Sequence, residues 1–150
     1  MQTFSFRLQK VLDFRHAHAD QLGAELASLE RSRELAEGRL ADLQSAECLM
    51  LSELRMRAKE PLNIPDVIQA ARRLDSLRGE IADQASVVRR IGEHVDAMRS
   101  DLLEVVNSAR ALDRMRDRQT EEHLQAARRQ DRAEEGETTA FQRHRARVGD

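Results

Sequence analysis

The sequence predicts an all-α fold, a long antiparallel two-helix coiled coil whose second helix overhangs the first at the terminal end. Three observations carry this reading. A heptad repeat runs unbroken from Val67 to Leu112, a second runs from Leu8 to Leu54, and the only two prolines, Pro61 and Pro65, fall between them.

The second repeat is the cleaner. Val67, Ala70, Leu74, Leu77, Ile81, Gln84, Val88, Ile91, Val95, Met98, Leu102, Val105, Ala109 and Leu112 recur every three or four residues. Only Gln84 is polar. A spacing averaging about 3.5 residues keeps these side chains in one stripe down a helix, and the run exceeds the three or four heptads that mark a coiled coil. So long a stripe must bury against another helix.

Composition agrees. There is no Trp and no Tyr, and charged residues make up 35% of the chain. That favours a rod of long helices over a thick globule. The regular Leu, Ile, Val and Met positions separate it from a disordered chain. The formal net charge is −2, with Arg and acidic residues interleaved, which reads as solvated helix faces with i,i+4 pairs. Nucleic-acid binding needs a basic face and is disfavoured. One cysteine, Cys48, forms no internal disulfide and suits a reducing cytosol. No apolar run approaches the roughly 20 residues of a membrane span. Arg7, Lys10, Asp13 and Arg15 interrupt any secretory apolar segment. A cytosolic protein is the expectation.

Taken in order, the chain opens with Phe4 and Phe6, two of its four phenylalanines. They close the open end of the seam or form a docking patch, and packing is the favoured role. Thr3 or Ser5 is a candidate cap for the first helix. The first stripe is Leu8, Leu12, Arg15, Ala19, Leu22, Leu26, Leu29, Arg33, Ala36, Leu40, Leu43, Glu47, Met50 and Leu54. Arg15, Arg33 and Glu47 break its apolar character, fixing register or snorkelling out of the seam. The helix is expected over about residues 5–58, roughly 80 Å at 1.5 Å per residue.

Residues 59–66 are the expected loop, since proline breaks a helix. Asp66 caps the next helix, or Pro65 sits in its first turn. A short connector makes the antiparallel hairpin the economical arrangement. A turn centred near residue 62 sets Leu54 opposite about Ala70, Leu40 opposite about Gln84, Leu22 opposite about Leu102, and Leu8 opposite about Arg116. Helix one is then exhausted where the second seam turns polar, at Arg116, Gln119 and His123. Helix two is expected over about 67–135. Gly136 is a stop signal, with Thr138 or Thr139 as caps of a short following helix. The whole chain, 1–150, reads as one coiled-coil domain. Gly23, Gly38, Gly79 and Gly92 lie off both seams.

No constellation supports catalysis. There is no phosphate-binding glycine loop, no HExxH and no CxxC. His16, His18, His94, His123 and His144 are not spaced to bind metal together. No cofactor and no metal are expected.

The opening FSFRLQKVLDFR resembles the F-x-F-x-L-x-x-V-L-x-x-R start of FliJ-type proteins, stalk components of the bacterial flagellar type III export apparatus. The likeness continues in the two-helix layout with a loop near residue 60, and in ALDRMRDRQTEEH and RRQDRAEE late in helix two. It spans nearly the whole chain. The ending differs, reading GETTAF where many members carry a D-E-x-A-like run.

The resemblance implies a non-catalytic stalk that inserts into the ring of the export ATPase (FliI). It also implies contact with the cytoplasmic domain of the export gate (FlhA), handling of export chaperones, and a place at the cytoplasmic face of the membrane at the flagellar base. The ATPase-ring contact of such a stalk is expected at Phe4 and Phe6 and at the residues the overhang supplies, Arg114, Arg116, Arg118, Gln119, Glu121 and Glu122. The gate contact falls on Val67, Ala71, Leu74 and Arg78. The protein alone is expected to be an elongated monomer. A competing reading is a structural coiled coil that receives a further helix on the off-seam residues Val11, Leu35, Leu51, Val87, Leu103 and Val106. The equivalent stalk of a virulence type III system is another.

Overall fold

A computed structural model describes residues 4–61 and 63–148, with side chains described through residue 137. Two helices account for almost all of it: α1, Gln9–Arg57, and α2, Ile64–Val148. They pack against each other as a helical hairpin, and no strand occurs among the described residues.

Each boundary has a local cause. Before α1 the chain turns at Arg7 and Leu8, with the Gln9 amide donating to the Phe6 carbonyl at 3.0 Å. Phe6 is buried, so this turn is anchored from beneath. Thr3, one suggested cap, lies outside the described residues. At its other end α1 tightens: the Lys59 and Glu60 amides reach back three residues, to Met56 and Arg57. Arg55 and Arg57 in the last turn suit the negative end of the helix dipole.

The connector is short because α2 starts at Ile64, three residues before Val67. Asn63 is its cap residue. Its carbonyl accepts the Asp66 and Val67 amides at 3.1 and 3.2 Å, and its side-chain amide donates to the Asp66 carboxylate at 3.3 Å. Pro65 falls in the first turn, where its missing N–H leaves nothing unsatisfied. α2 then runs through Gly136 to Val148. Helical propensity on both sides outweighs the cost of one glycine, about 1 kcal/mol. The backbone at Thr138 and Thr139 is helical, and their side chains lie outside the described residues.

The hairpin falls into two compact units. One comprises Asp20–Leu103 and the other the remaining parts of both helices. Within Asp20–Leu103 the arms are antiparallel: Glu47 meets Arg78 at 2.7 Å and Glu30 meets Arg99 at 2.7 Å. Both stripes turn inward there. Every first-stripe position from Leu22 to Leu54 is buried or half-buried, as is every second-stripe position from Ala70 to Leu102. Val95 is fully buried. Val67 is the exception, exposed in the first turn of α2. The polar seam residues behave as snorkelling predicts. Glu47 reaches Arg78, and Arg33 turns along its own helix to Glu37 at 2.7 Å. That hydrogen bond and charge push the Arg33 guanidinium above its ordinary pKa.

Within the second unit, Met1–Ala19 with Glu104–Asp150, pairing is also antiparallel. His16 meets Asp113 at 3.1 Å, and the Phe4 ring lies 5.6 Å from that of His123. Leu12 is fully buried, and Phe6, Val105 and Ala109 are nearly so. Pairing therefore continues one to two turns past Arg116, the end expected from the loop position. The extra length comes from the residues before α1, where Phe6 is buried and the Phe4 ring lies by His123.

Candidate functional site

The residues expected to meet the ATPase ring all lie in the unit that holds the chain's ends. Phe6 is buried and packs; Phe4 is partly exposed over His123. Beyond them α2 presents Arg114, Arg118, Gln119, Glu121 and Glu122, all exposed. Arg116 is half-buried. Its guanidinium meets Asp113 at 3.1 Å and Asp117 at 3.2 Å, so it is held within its own helix. Glu121 accepts the Gln125 side-chain amide at 3.3 Å. From Arg128 to Glu137 every side chain is exposed. The result is a polar helical face carrying both signs of charge beside one partly open aromatic ring.

The residues expected to meet the gate lie in the other unit, at the start of α2. Val67 and Ala71 are exposed, Leu74 is half-buried in the seam, and Arg78 is exposed while bound to Glu47. The four share one side of α2: Val67 and Ala71 are open to a partner, whereas Leu74 is half-buried in the seam. An open cleft of about 400 Å³ lies here, lined by Leu54, Arg57, Pro61, Val67 and Ala70 among others. Near it in sequence, Met56, Ile64 and Ile68 are exposed.

The off-seam apolar residues divide. Leu51, Val87 and Val106 are half-buried and widen the seam, whereas Val11, Leu35 and Leu103 are exposed. Leu49 and Met56 had no assigned role, yet they are exposed at the same heptad position as Leu35. Their spacing of multiples of seven residues outside the seam was the available signal. Phe14 was missed as well. It is 67% exposed and stands 6.1 Å from His18, ring to ring, on the outer side of α1.

Among the described residues, no group of three or more His, Cys, Asp or Glu side chains gathers to hold a metal ion. No helix there is long and apolar enough to cross a membrane.

Comparison with known families decides the relationship. The family described as Flagellar FliJ protein matches residues 4–147. The chain belongs to the FliJ family. No curated protein and no solved structure matches it. FliJ membership makes this chain a non-catalytic component of flagellar type III protein export. The match takes in both arms of the hairpin, from Phe4 through the exposed turns of α2.

Proposed function

We propose that this FliJ-family chain is the stalk of the flagellar export ATPase. The end that carries Phe4 and α2 residues Arg114, Arg118, Gln119, Glu121 and Glu122 enters the FliI ring and promotes its assembly and activity. Val67, Ala71 and Arg78, in the Asp20–Leu103 unit, contact the cytoplasmic domain of FlhA, with Leu74 supporting them from the seam. The chain also hands on export chaperones and works at the cytoplasmic face of the membrane at the flagellar base.

The observation that carries this reading is the exposed face of α2 from Arg114 to Glu122, next to the Phe4–His123 contact. Exposed charges make contacts worth about 0–1 kcal/mol each. A set of such contacts suits a shaft that binds a ring and must also move in it or leave it. A deep apolar anchor would hold one subunit too tightly.

The test is the ATPase rate of the cognate ring with the full chain, with Arg114→Glu/Arg118→Glu, and with a chain ending after Ala127. The last keeps the Phe4–His123 pair. Stimulation by the full chain that falls with the charge reversal supports the proposal. No stimulation by the full chain, or undiminished stimulation by the charge-reversed chain, refutes it.

The exposed Leu35, Leu49 and Met56 favour a second reading, a coiled coil that takes a further helix on the outer face of α1. Sedimentation separates the two, because the stalk reading requires a monomer of the isolated chain.

A further inference from the structure

Between Ala70 and Leu112 the α2 stripe has one polar residue, Gln84, and between Leu22 and Leu54 the α1 stripe has one alanine, Ala36. These two meet. The Gln84 Nε2 donates to the Ala36 carbonyl oxygen at 2.9 Å. Ala36 is buried and Gln84 half-buried. A carbonyl in mid-helix already accepts the amide four residues on, and Gln84 uses its second lone pair. The amide reaches that oxygen because the α1 side chain beside it is a single methyl.

We propose that Gln84 and Ala36 form a register lock, selecting one alignment of the two arms from several that the heptads allow. Apolar stripes are degenerate. Slide one arm by a turn and apolar side chains again meet apolar side chains, since seam positions recur every three or four residues. Counted from a turn centred on residue 62, Gln84 stands level with about Leu40 and reaches one turn along α1 to the Ala36 carbonyl; slipped by one turn, it would reach the carbonyl beside Leu40 instead. In that alignment a leucine fills the space, and the Gln84 amide is shut in without an acceptor. A buried donor left unmade is the costly outcome. Slipped the other way, Gln84 comes beside Arg33, which can donate only to the Gln84 Oε1 and offers its NH2 group no acceptor. Only the observed alignment satisfies the amide. A single polar residue at a seam position is a known means of fixing register in coiled coils. The inference concerns the alignment itself and holds whichever partner binds the protein.

The test uses the full chain with Cys48→Ser and spin labels introduced at Ala41 and Ala97. Both positions are exposed and lie within Asp20–Leu103. They are staggered along the hairpin, so a slip of one arm reads directly as a changed label-to-label distance. The parent chain should give one narrow distance distribution. Gln84→Leu should add a second population displaced by one helical turn, roughly 5 Å. Ala36→Leu/Leu40→Ala moves the alanine by one turn and should make the displaced population the larger one. A single undisplaced distribution in both variants overturns the lock. The parent distance persisting as the major population when the alanine has moved also overturns it.

Discussion

His16 on α1 stands 3.1 Å from the carboxylate of Asp113 on α2, and that carboxyl also receives the Arg116 guanidinium at 3.1 Å. One acid therefore ties the first arm to the second and orders a neighbouring turn of its own helix. His16 is half exposed, so the tie is screened by water and individually weak. Asp113→Asn should lower unfolding stability by less than about 1 kcal/mol, measured by urea titration. A loss above twice that figure would mean that the cluster acts as a cooperative network.

The packing inside the same unit should matter more. Leu12 is 0% exposed, whereas Leu35, in the other unit, is 77% exposed. Leu12→Ala should cost about 2–4 kcal/mol, through lost transfer energy and the cavity left behind. Leu35→Ala should change stability by less than about 0.5 kcal/mol. Parallel denaturation curves for the two variants check this pair, and equal losses would contradict the assignment of the seam.

Gly38 and Gly79 are mid-helix, and a methyl group added at either meets no atom within 4 Å. Alanine removes the conformational freedom that glycine loses on folding. Gly38→Ala and Gly79→Ala should each stabilise by up to about 1 kcal/mol and raise the melting midpoint. A lowered midpoint would place an unseen neighbour against that face.

Asn63 caps α2 and holds Asp66 at 3.3 Å. Asn63→Ala keeps the carbonyl that accepts the Asp66 and Val67 amides and loses an exposed side-chain bond, so it should cost less than about 0.5 kcal/mol. Its effect should concentrate at the loop, visible as faster amide exchange at Asp66 and Val67 with little change beyond Leu74. Uniformly faster exchange along both helices would show instead that the cap governs the whole pairing.

At the proposed gate contact, Val67 and Leu74 should behave differently. Val67 is 44% exposed, and Val67→Asp should leave the fold intact while reducing capture by the FlhA cytoplasmic domain at least severalfold. Leu74→Asp should unfold the local seam. Undiminished capture by a folded Val67→Asp chain would remove this surface from the gate contact.

Periodicity made the fold legible because a heptad repeat fixes which face each residue presents. Leu22 through Leu54 and Ala70 through Leu102 all turn inward as their spacing requires. Register was less legible. Counting from the loop sets Leu40 level with Gln84, but the Gln84 side chain reaches one turn away to Ala36, where its amide finds a carbonyl. Size and hydrogen-bond reach choose among alignments that periodicity treats as equal. The extent of pairing at the open end depended on the residues before α1, where Phe6 is buried and Phe4 lies by His123. Heptad spacing alone did not require that. The termination at Gly136 failed for an energetic reason: a glycine weakens a helix but does not end one without a competing hydrogen-bond pattern. For the candidate contacts, charge and exposure were readable from the non-seam positions. That Arg116 and Arg78 are engaged with Asp113, Asp117 and Glu47 was not, because several acids lay within reach of each.

Of the inter-arm links within Asp20–Leu103, the two at Glu47 and Glu30 join half-buried carboxylates to exposed guanidiniums, while the one at Gln84 is neutral and sheltered. Mobile ions shield charges over about 8 Å at physiological strength and over shorter distances as salt rises. Brine should therefore slacken the flanking clasps and spare the amide tie between them. The alignment of the arms would then survive changes in the saltiness of the surroundings that weaken every charged handshake on the surface.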